Sequence, residues 1–221
     1  MVSVWVGRAG SGKSRRVLEA MEKNRGLRRQ VLLVPEHISH EAEVDLCRAL
    51  GPTASRDAEV LSFQSLATRV LSQTGGISDI TLDNGGKILI MRRALQEVSS
   101  YLTVFSKPSQ RPAFLRELVA LADELYAYKI APSLLLQQVQ DIPGAAGDKL
   151  RSTALLFGAY DARLHGGDFD ARSKVQKLCD KLPNSDYLCG KDIYIDGFSY
   201  FNRTEEDIIA AALKQANSVT V

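Results

Sequence analysis

Residues 7–14 read Gly7-Arg8-Ala9-Gly10-Ser11-Gly12-Lys13-Ser14 and match the pattern G-x-x-x-x-G-K-[S/T]. A valine-rich run, 2–6, precedes them, and a helical pattern begins at Lys13. Glycines leave backbone N–H groups open to a phosphate chain, and the N-terminus of the following helix attracts anions. This context favours a phosphate-binding P-loop over a glycine-rich turn without a ligand. We predict that all eight residues bind ATP, that Lys13 contacts its β- and γ-phosphates, and that the Ser14 hydroxyl is a ligand of Mg²⁺.

Strand and helix patterns alternate on both sides of this loop. Apolar runs at 2–6, 31–34, 59–62 and 193–197 predict strands, and a further strand is expected to start at 219. Helical periodicity follows the first four runs, including a helix from Ser39 or His40 to Leu50. The continuous apolar run at 31–34 is typical of a parallel strand covered on both faces. These patterns predict an α/β fold with a parallel sheet.

The stretch 83–189 has only helical periodicity, with breaks at Pro108, Pro112, Pro132, Pro143 and Gly166-Gly167. We interpret it as an inserted all-helical subdomain. The α/β lobe then comprises 1–82 and 190–221. Thr204-Glu205-Glu206-Asp207 is predicted to be the capping box of the last helix. Because Val219-Thr220-Val221 resembles the start of a buried strand, we expect the chain to be a piece of a longer protein.

Asp196 follows an apolar strand, Ile193-Tyr194-Ile195, and precedes Gly197. A carboxylate at this place, beside the first strand and its loop, is the second Mg²⁺ anchor of P-loop proteins. The alternative is an aspartate that only opens the turn. Helicase-type motors carry a Glu directly after this Asp to activate water, and here that position is Gly197. The site is therefore expected to bind ATP and to hydrolyse it poorly.

Composition narrows the class of protein. The chain has 221 residues, 45% of them hydrophobic and 24% charged, and it has no apolar run long enough to span a bilayer. Its three cysteines favour a reducing, cytoplasmic compartment over a disulfide framework or a metal site. Residues 1–30 hold eight basic residues and two acids, a distribution that suits a polyanion or, more simply, a solvated helix face.

Four stretches in the order found here resemble the N-terminal region of the B subunit of the bacterial helicase/nuclease family AddAB. They are the loop at 7–14, Val-Pro-Glu-His-Ile-Ser-His-Glu-Ala-Glu at 34–43, Leu-Ser-Phe-Gln-Ser-Leu-Ala at 61–67, and Ile-Tyr-Ile-Asp-Gly-Phe at 193–198. The resemblance covers essentially the whole chain. It implies a RecA-like fold of the superfamily 1 helicase type and a role in processing DNA double-strand breaks for recombination. The cofactors it implies are ATP and Mg²⁺, and the implied partners are the A subunit, as a heterodimer, and single- and double-stranded DNA. The family's nuclease domain and iron–sulfur cluster lie outside these residues.

The segment 61–69 also resembles the T-F-H-S-L-A motif with which superfamily 1 helicases touch single-stranded DNA, with Gln64 in place of the usual His. The resemblance implies DNA contacts from Ser62, Phe63, Gln64, Ser65 and Arg69. Phe63 also lies on the apolar stripe of its helix, so core packing is an equal interpretation.

Other functions and residues remain open on the sequence. The chain could be a self-sufficient P-loop phosphotransferase with a helical lid, or a scaffold that binds DNA without hydrolysing ATP. Glu36, after the second strand, is a candidate for orienting Mg²⁺ or DNA, or it simply starts a loop. His37 and His40 have no third ligand in register for a metal. Tyr126 and Tyr128 end a helix as a partner surface or as the edge of a core.

Overall fold

The computed structural model describes residues 1–76, 82–105, 111–165 and 173–221. They form two compact units, one made of Met1–Ile77 with Lys174–Val221 and the other of Ser78–Ser173. The predicted breaks at Pro108 and Gly166-Gly167 lie outside the described residues.

The first unit contains a five-stranded parallel sheet. Its strands are β1 (Val2–Ser3), β2 (Gln30–Leu33), β3 (Ala58–Leu61), β4 (Asp192–Ile195) and β5 (Ser218–Thr220), in the spatial order β1-β5-β4-β2-β3. The predicted α/β class with a parallel sheet is confirmed. Because all strands point the same way, the segments that follow them meet at one carboxyl edge, where ligands of open α/β sheets bind.

Helices cover both faces of this sheet. They are α1 (Lys13–Lys23), α2 (Ser39–Leu50), α3 (Ala54–Asp57), α4 (Phe63–Thr74), α9 (Lys174–Lys181) and α10 (Arg203–Gln215). Val31 and Leu33 point into the core shared with α4, α9 and α10, whereas Leu32 and Val34 pack with α1 and α2. The continuous apolar run at 31–34 is thus explained by burial on both faces.

The first strand is shorter than the run 2–6 predicted. Only Val2–Ser3 is strand, although the Trp5 N–H still donates to the Val221 carbonyl at 2.7 Å. β1 lies at the edge of the sheet, and the side chains of Val2, Val4 and Val6 are exposed. These valines alternate with Ser3 and Trp5, which are partly buried, so one side of this segment is exposed to solvent.

The second unit is helical. It contains α5 (Asn84–Val98), α6 (Pro112–Ala127), α7 (Pro132–Val139) and α8 (Gly144–His165) around a core that includes Met91, Leu118 and Phe157. Tyr126 packs edge-on against Phe157, with ring centroids 5.1 Å apart, and donates a hydrogen bond to Asp161 at 2.6 Å. Tyr126 therefore belongs to the edge of this core.

Two local expectations differ from the structure. Residues 174–184, expected within the helical insertion, pack in the first unit, because Leu178 and Leu182 are buried in the core that contains Val31. The capping box of α10 is not Thr204-Glu205-Glu206-Asp207. Asn202 Oδ1 accepts from the Glu205 N–H at 3.0 Å and Glu205 Oε2 accepts from the Asn202 N–H at 3.0 Å, while Thr204 is buried.

Candidate nucleotide site

The glycine-rich loop, residues 7–14, joins β1 to α1 at the carboxyl edge of the sheet. Gly10 and Gly12 have φ of 72° and 81°, in the left-handed region that side chains disfavour. A Cβ atom at Gly7 would lie 2.6 Å from Ser11 Oγ. No side chain caps the N-terminus of α1, and its first turn carries no acid. The loop thus presents bare backbone and an uncapped helix start, which together suit a phosphate chain.

Lys13 lies over the loop that precedes it. Its Nζ donates to the carbonyl oxygens of Gly7, at 2.8 Å, and Arg8, at 2.9 Å. The ammonium group is therefore held over the loop by two neutral acceptors. A phosphate would supply charged acceptors at the same place.

Ser14 and Asp196 come together although they are far apart in the chain. Both line a cavity of about 260 Å³ between α1 and α2, which also contains Glu41 and Asp45. The Asp196 N–H donates to the Leu33 carbonyl at 3.0 Å, which fixes Asp196 directly after β4. The expectation that its strand lies beside the first strand was wrong, because β5 pairs with both β1 and β4 and separates them.

The C-terminal end of helix α1 is held against β4. Asn24, which caps α1, donates its side-chain amide to the Tyr194 hydroxyl at 3.1 Å. Val17 and Met21 on the same helix are buried against Leu32 and Val34. These contacts set the direction of α1 and so bring Ser14 to the cavity that Asp196 lines.

Gly197 occupies a constrained position. Its φ is 81°, and a Cβ atom there would lie 2.6 Å from Ile38 Cδ1 and 3.3 Å from Pro35 Cδ. A glutamate at this position would need an unfavourable backbone conformation, and the end of the Ile38 side chain would have to turn away from its Cβ atom. The fold around Asp196 is therefore built for glycine next to it.

Glu36 connects two strand ends. It follows β2, and its Oε2 accepts a hydrogen bond from the hydroxyl of Ser62, which follows β3. Ser62 in turn caps α4 in a reciprocal capping box with Ser65. Glu36 is thus a structural link between the end of β2 and the start of α4.

The five residues with implied DNA contacts occupy different environments. Ser62 is 3% exposed and Phe63 is 5% exposed, and the Phe63 ring packs edge-on against Phe198 with centroids 5.5 Å apart. Ser65 is partly buried in the capping box, whereas the side chains of Gln64 and Arg69 are exposed. The core interpretation of Phe63 fits its burial. The DNA contact remains a prediction, and in this conformation it would be made chiefly by the exposed side chains of Gln64 and Arg69.

Gln64 lines a cavity of about 340 Å³ at the carboxyl edge, together with His37 and Tyr200. Tyr200 is 73% exposed. Sequence patterns did not select Tyr200, because it lies in an irregular segment with no periodicity. Arg69 does not line this cavity and lines a different cleft.

The chain has one tryptophan, Trp5, two residues before the glycine-rich loop. The guanidinium carbon of Arg16 lies 4.7 Å from the centroid of its ring. Trp5 was not selected from the sequence as a site residue. Its place makes it a natural fluorescent reporter of the loop.

The oxygen donors of Ser14 and Asp196 suit a hard cation such as Mg²⁺. Ser14 offers a hydroxyl and Asp196 a carboxylate, and Mg²⁺ binds through one or two such protein ligands together with phosphates and waters. Among the described residues, no group of three or more His, Cys, Asp or Glu side chains is placed to hold a metal, so His37 and His40 gain no third ligand there. In the same part of the chain, no helix is long and apolar enough to cross a membrane.

Comparison with known proteins gives a consistent result. Residues 4–221 match the family described as ADDB, N-terminal. The chain is 36% identical over 224 residues to the B subunit of the ATP-dependent helicase/deoxyribonuclease of Desulforamulus reducens, and 31% identical over 227 residues to the protein of the same name from Clostridioides difficile. Each alignment covers 98% of this chain and 19% of the relative, so the chain spans about a fifth of the length of these relatives. The chain therefore belongs to the AddB family and corresponds to its N-terminal region.

Proposed function

We propose that this chain is the ATP-binding, helicase-like lobe of the B subunit of a helicase/nuclease that processes DNA double-strand breaks for recombinational repair. The observation that carries the nucleotide part is the cavity shared by Ser14 and Asp196 next to the glycine-rich loop. The relatives are named as B subunits of an ATP-dependent helicase/deoxyribonuclease, and these names support the biological setting. Partnership with the A subunit and contact with single- and double-stranded DNA belong to the same proposal.

In this proposal the loop backbone and Lys13 hold the phosphates of ATP, and Ser14 and Asp196 hold Mg²⁺. Bound Mg²⁺ would neutralise charge on the phosphates. The protein's own contribution is to orient the nucleotide, since its loop and helix start are already in place. Gly197 leaves the position after Asp196 without a carboxylate that could activate water.

The Ser14→Ala variant tests the contribution of the metal to ATP binding separately from that of the phosphate contacts. If Ser14 is a ligand of Mg²⁺, the variant should bind ATP in the presence of Mg²⁺ no better than wild type does in EDTA. The loop backbone and Lys13 are unchanged in this variant, so binding of metal-free ATP should match wild type. Isothermal titration with and without Mg²⁺ measures both affinities, and an undiminished Mg²⁺ effect in Ser14→Ala would remove this residue from the metal site.

We expect the 221-residue chain to turn ATP over very slowly. The residue directly after Asp196 is Gly197, which carries no carboxylate that could activate water. Phosphate release should stay well below about 1 s⁻¹, the lower end of the ordinary range for enzymes, with or without DNA. The measurement is a continuous phosphate-release assay at saturating Mg·ATP, and DNA-stimulated turnover of several per second would refute this part of the proposal.

We also expect weak binding of single-stranded DNA through Gln64. Gln64 and Tyr200 line one cavity, and an exposed tyrosine is a stacking surface for a base, worth about 1–3 kcal/mol per base. Gln64→Ala should weaken binding of a fluorescently labelled oligonucleotide several-fold, measured by anisotropy. ATP affinity should not change, because the loop and α4 follow β1 and β3, which are four strand spacings apart, roughly 19 Å.

Ser65→Ala is the structural comparison for that experiment. The Ser65 hydroxyl accepts from the Ser62 N–H at 2.7 Å, so its loss should cost the α4 cap about 1 kcal/mol and lower Tm by about 2–4 °C. Equal DNA binding in wild type and Gln64→Ala would exclude a DNA contact by this side chain. Loss of binding in Ser65→Ala together with the lowered Tm would show that the segment acts through folding, whereas loss of binding at unchanged Tm would assign the DNA contact to Ser65.

A further inference from the structure

A second cleft runs along β3, at the opposite edge of the sheet from β1. It has a volume of about 660 Å³, and all four residues of β3 line it. One wall comes from α2, with Glu43 and Cys47, and the other from α4, with Arg69 and Gln73. Arg29, which precedes β2, and Lys191, which precedes β4, place this cleft toward the amino edge of the sheet, away from Gln64.

Three residues of the lining, Glu59, Tyr187 and Lys191, form a hydrogen-bonded cluster. Tyr187 donates its hydroxyl to Glu59 Oε1 at 2.8 Å, and Lys191 Nζ donates to the same oxygen at 3.0 Å. Lys191 also lies 3.7 Å from the centroid of the Tyr187 ring. Glu59 and Lys191 neutralise each other, so neither contributes net charge to the cleft.

Arg29 and Arg69 are the other two cationic residues that line the cleft. Both are exposed, and neither side chain has a hydrogen-bond or ion-pair partner among the described residues. Arg29, Arg69 and Tyr187 line the same cleft, and both guanidinium groups lower the pKa of the Tyr187 hydroxyl, which burial and the hydrogen bond to Glu59 raise. Two unpaired guanidinium groups therefore face one region of the cleft.

Neighbouring arginines extend this positive surface. Arg25 donates to Asp57, at 3.2 Å, and to Thr53, which ties the loop after α1 to α3. Arg28 in that loop and Arg56 on α3 have no side-chain partner in the described part of the chain. Within the lining, Arg29, Arg69 and Lys191 balance Glu43, Glu59 and Asp186, so the net charge of about +2 at this edge comes from Arg28 and Arg56, which adjoin lining residues in the chain.

We propose that this arginine cleft, defined by Arg29, Arg69, Tyr187 and the edge of β3, binds the phosphodiester backbone of a nucleic acid. Guanidinium groups match phosphate oxygens with paired hydrogen bonds, and unpaired arginines lose no existing ion pair when they bind. The choice of nucleic acid among polyanions rests on the proposed function. The contact is separate from Gln64, since the two surfaces lie toward opposite edges of the sheet.

The test is the salt dependence of oligonucleotide binding by the 221-residue chain and its Arg29→Gln/Arg69→Gln variant. Each phosphate contact contributes about −0.7 to the log–log salt slope on single strands and about −0.9 on duplex. Losing two contacts should reduce the slope by roughly 1.4 or 1.8, respectively, and weaken single-strand binding by roughly 25-fold at 0.1 M salt. The loss should be equal for oligonucleotides of unrelated sequence, because the contact is to the backbone.

Arg92→Gln/Arg93→Gln is the matched control. It removes the same charge from exposed positions on α5, in the helical unit. Equal losses in both double variants would reduce the effect to general electrostatics and overturn the proposal. Unchanged DNA binding in Arg29→Gln/Arg69→Gln would also overturn it, and if Gln64→Ala then abolished binding, the proposed function would stand without this cleft.

A partner protein is the competing occupant. β3 is an edge strand, so an extended acidic peptide could pair with it. Polyglutamate is used as the probe for this case. Binding of polyglutamate that depends on Arg29 and Arg69, with no binding of DNA, would assign the cleft to an acidic protein segment and refute the nucleic-acid proposal.

Discussion

Lys13→Ala is expected to weaken the binding of Mg·ATP by roughly 10- to 150-fold. Lys13 Nζ now donates to the carbonyl oxygens of Gly7 and Arg8, and in the proposed complex it would donate to phosphate oxygens instead. Hydrogen bonds to charged groups contribute about 1.5–3 kcal/mol, which corresponds to this range of affinity. Isothermal titration measures the effect directly, and quenching of Trp5, the single tryptophan next to the loop, provides a second readout.

Lys23→Ala is the control for this substitution. Lys23 is an exposed lysine at the other end of the same helix, about 15 Å from Lys13 along its axis. Lys23→Ala removes the same charge as Lys13→Ala. ATP affinity should stay within about two-fold of the wild-type value, since Lys23 is too far from the loop to touch a phosphate. Equal ATP affinity in wild type and Lys13→Ala would mean that the glycine-rich loop does not bind the nucleotide.

Local patterns predicted much of the first unit. The run 31–34 was long enough, and apolar enough, to indicate a strand buried on both faces, and Val31 and Leu32 lie on opposite faces as expected. The predicted helix from Ser39 to Leu50 is confirmed, because Gly51 ends it with a positive φ. In these segments a few neighbouring residues determine the conformation, so the sequence carries the information locally.

Features that depend on distant contacts were not predictable in this way. The pattern around Thr204 matched a capping box as well as the one around Asn202, and only the burial of Thr204 distinguishes them. The motif at 61–67 implies DNA contacts for Ser62 and Phe63, and these stay predictions, but the contacts that the two residues make with Glu36 and Phe198 could not be read from the motif. Pairing of β5 between β1 and β4 likewise depends on the whole sheet.

Gly197→Glu, which introduces the carboxylate of an active helicase motor, is expected to destabilise the chain without increasing ATP turnover. A side chain at φ 81° costs about 1–3 kcal/mol, and turning the end of the Ile38 side chain away from the Cβ position adds about 0.5–1.5 kcal/mol. The sum of about 1.5–4.5 kcal/mol should lower Tm by about 3–18 °C in a protein of this size. Thermal unfolding and the phosphate-release assay together measure both effects.

Alanine variants separate the two causes of this loss and remain informative if Gly197→Glu does not fold. Gly190 has a φ of 71° and no atom within 4 Å of its ideal Cβ position, so Gly190→Ala reports the backbone cost alone. Gly197→Ala should cost more than Gly190→Ala, and most of the excess should disappear in an Ile38→Ala background, because the Cδ1 atom is then absent and only the 3.3 Å contact with Pro35 remains. A folded Gly197→Glu variant with wild-type Tm and faster turnover would instead show that the segment after β2 moves aside freely and that the missing carboxylate alone limits hydrolysis.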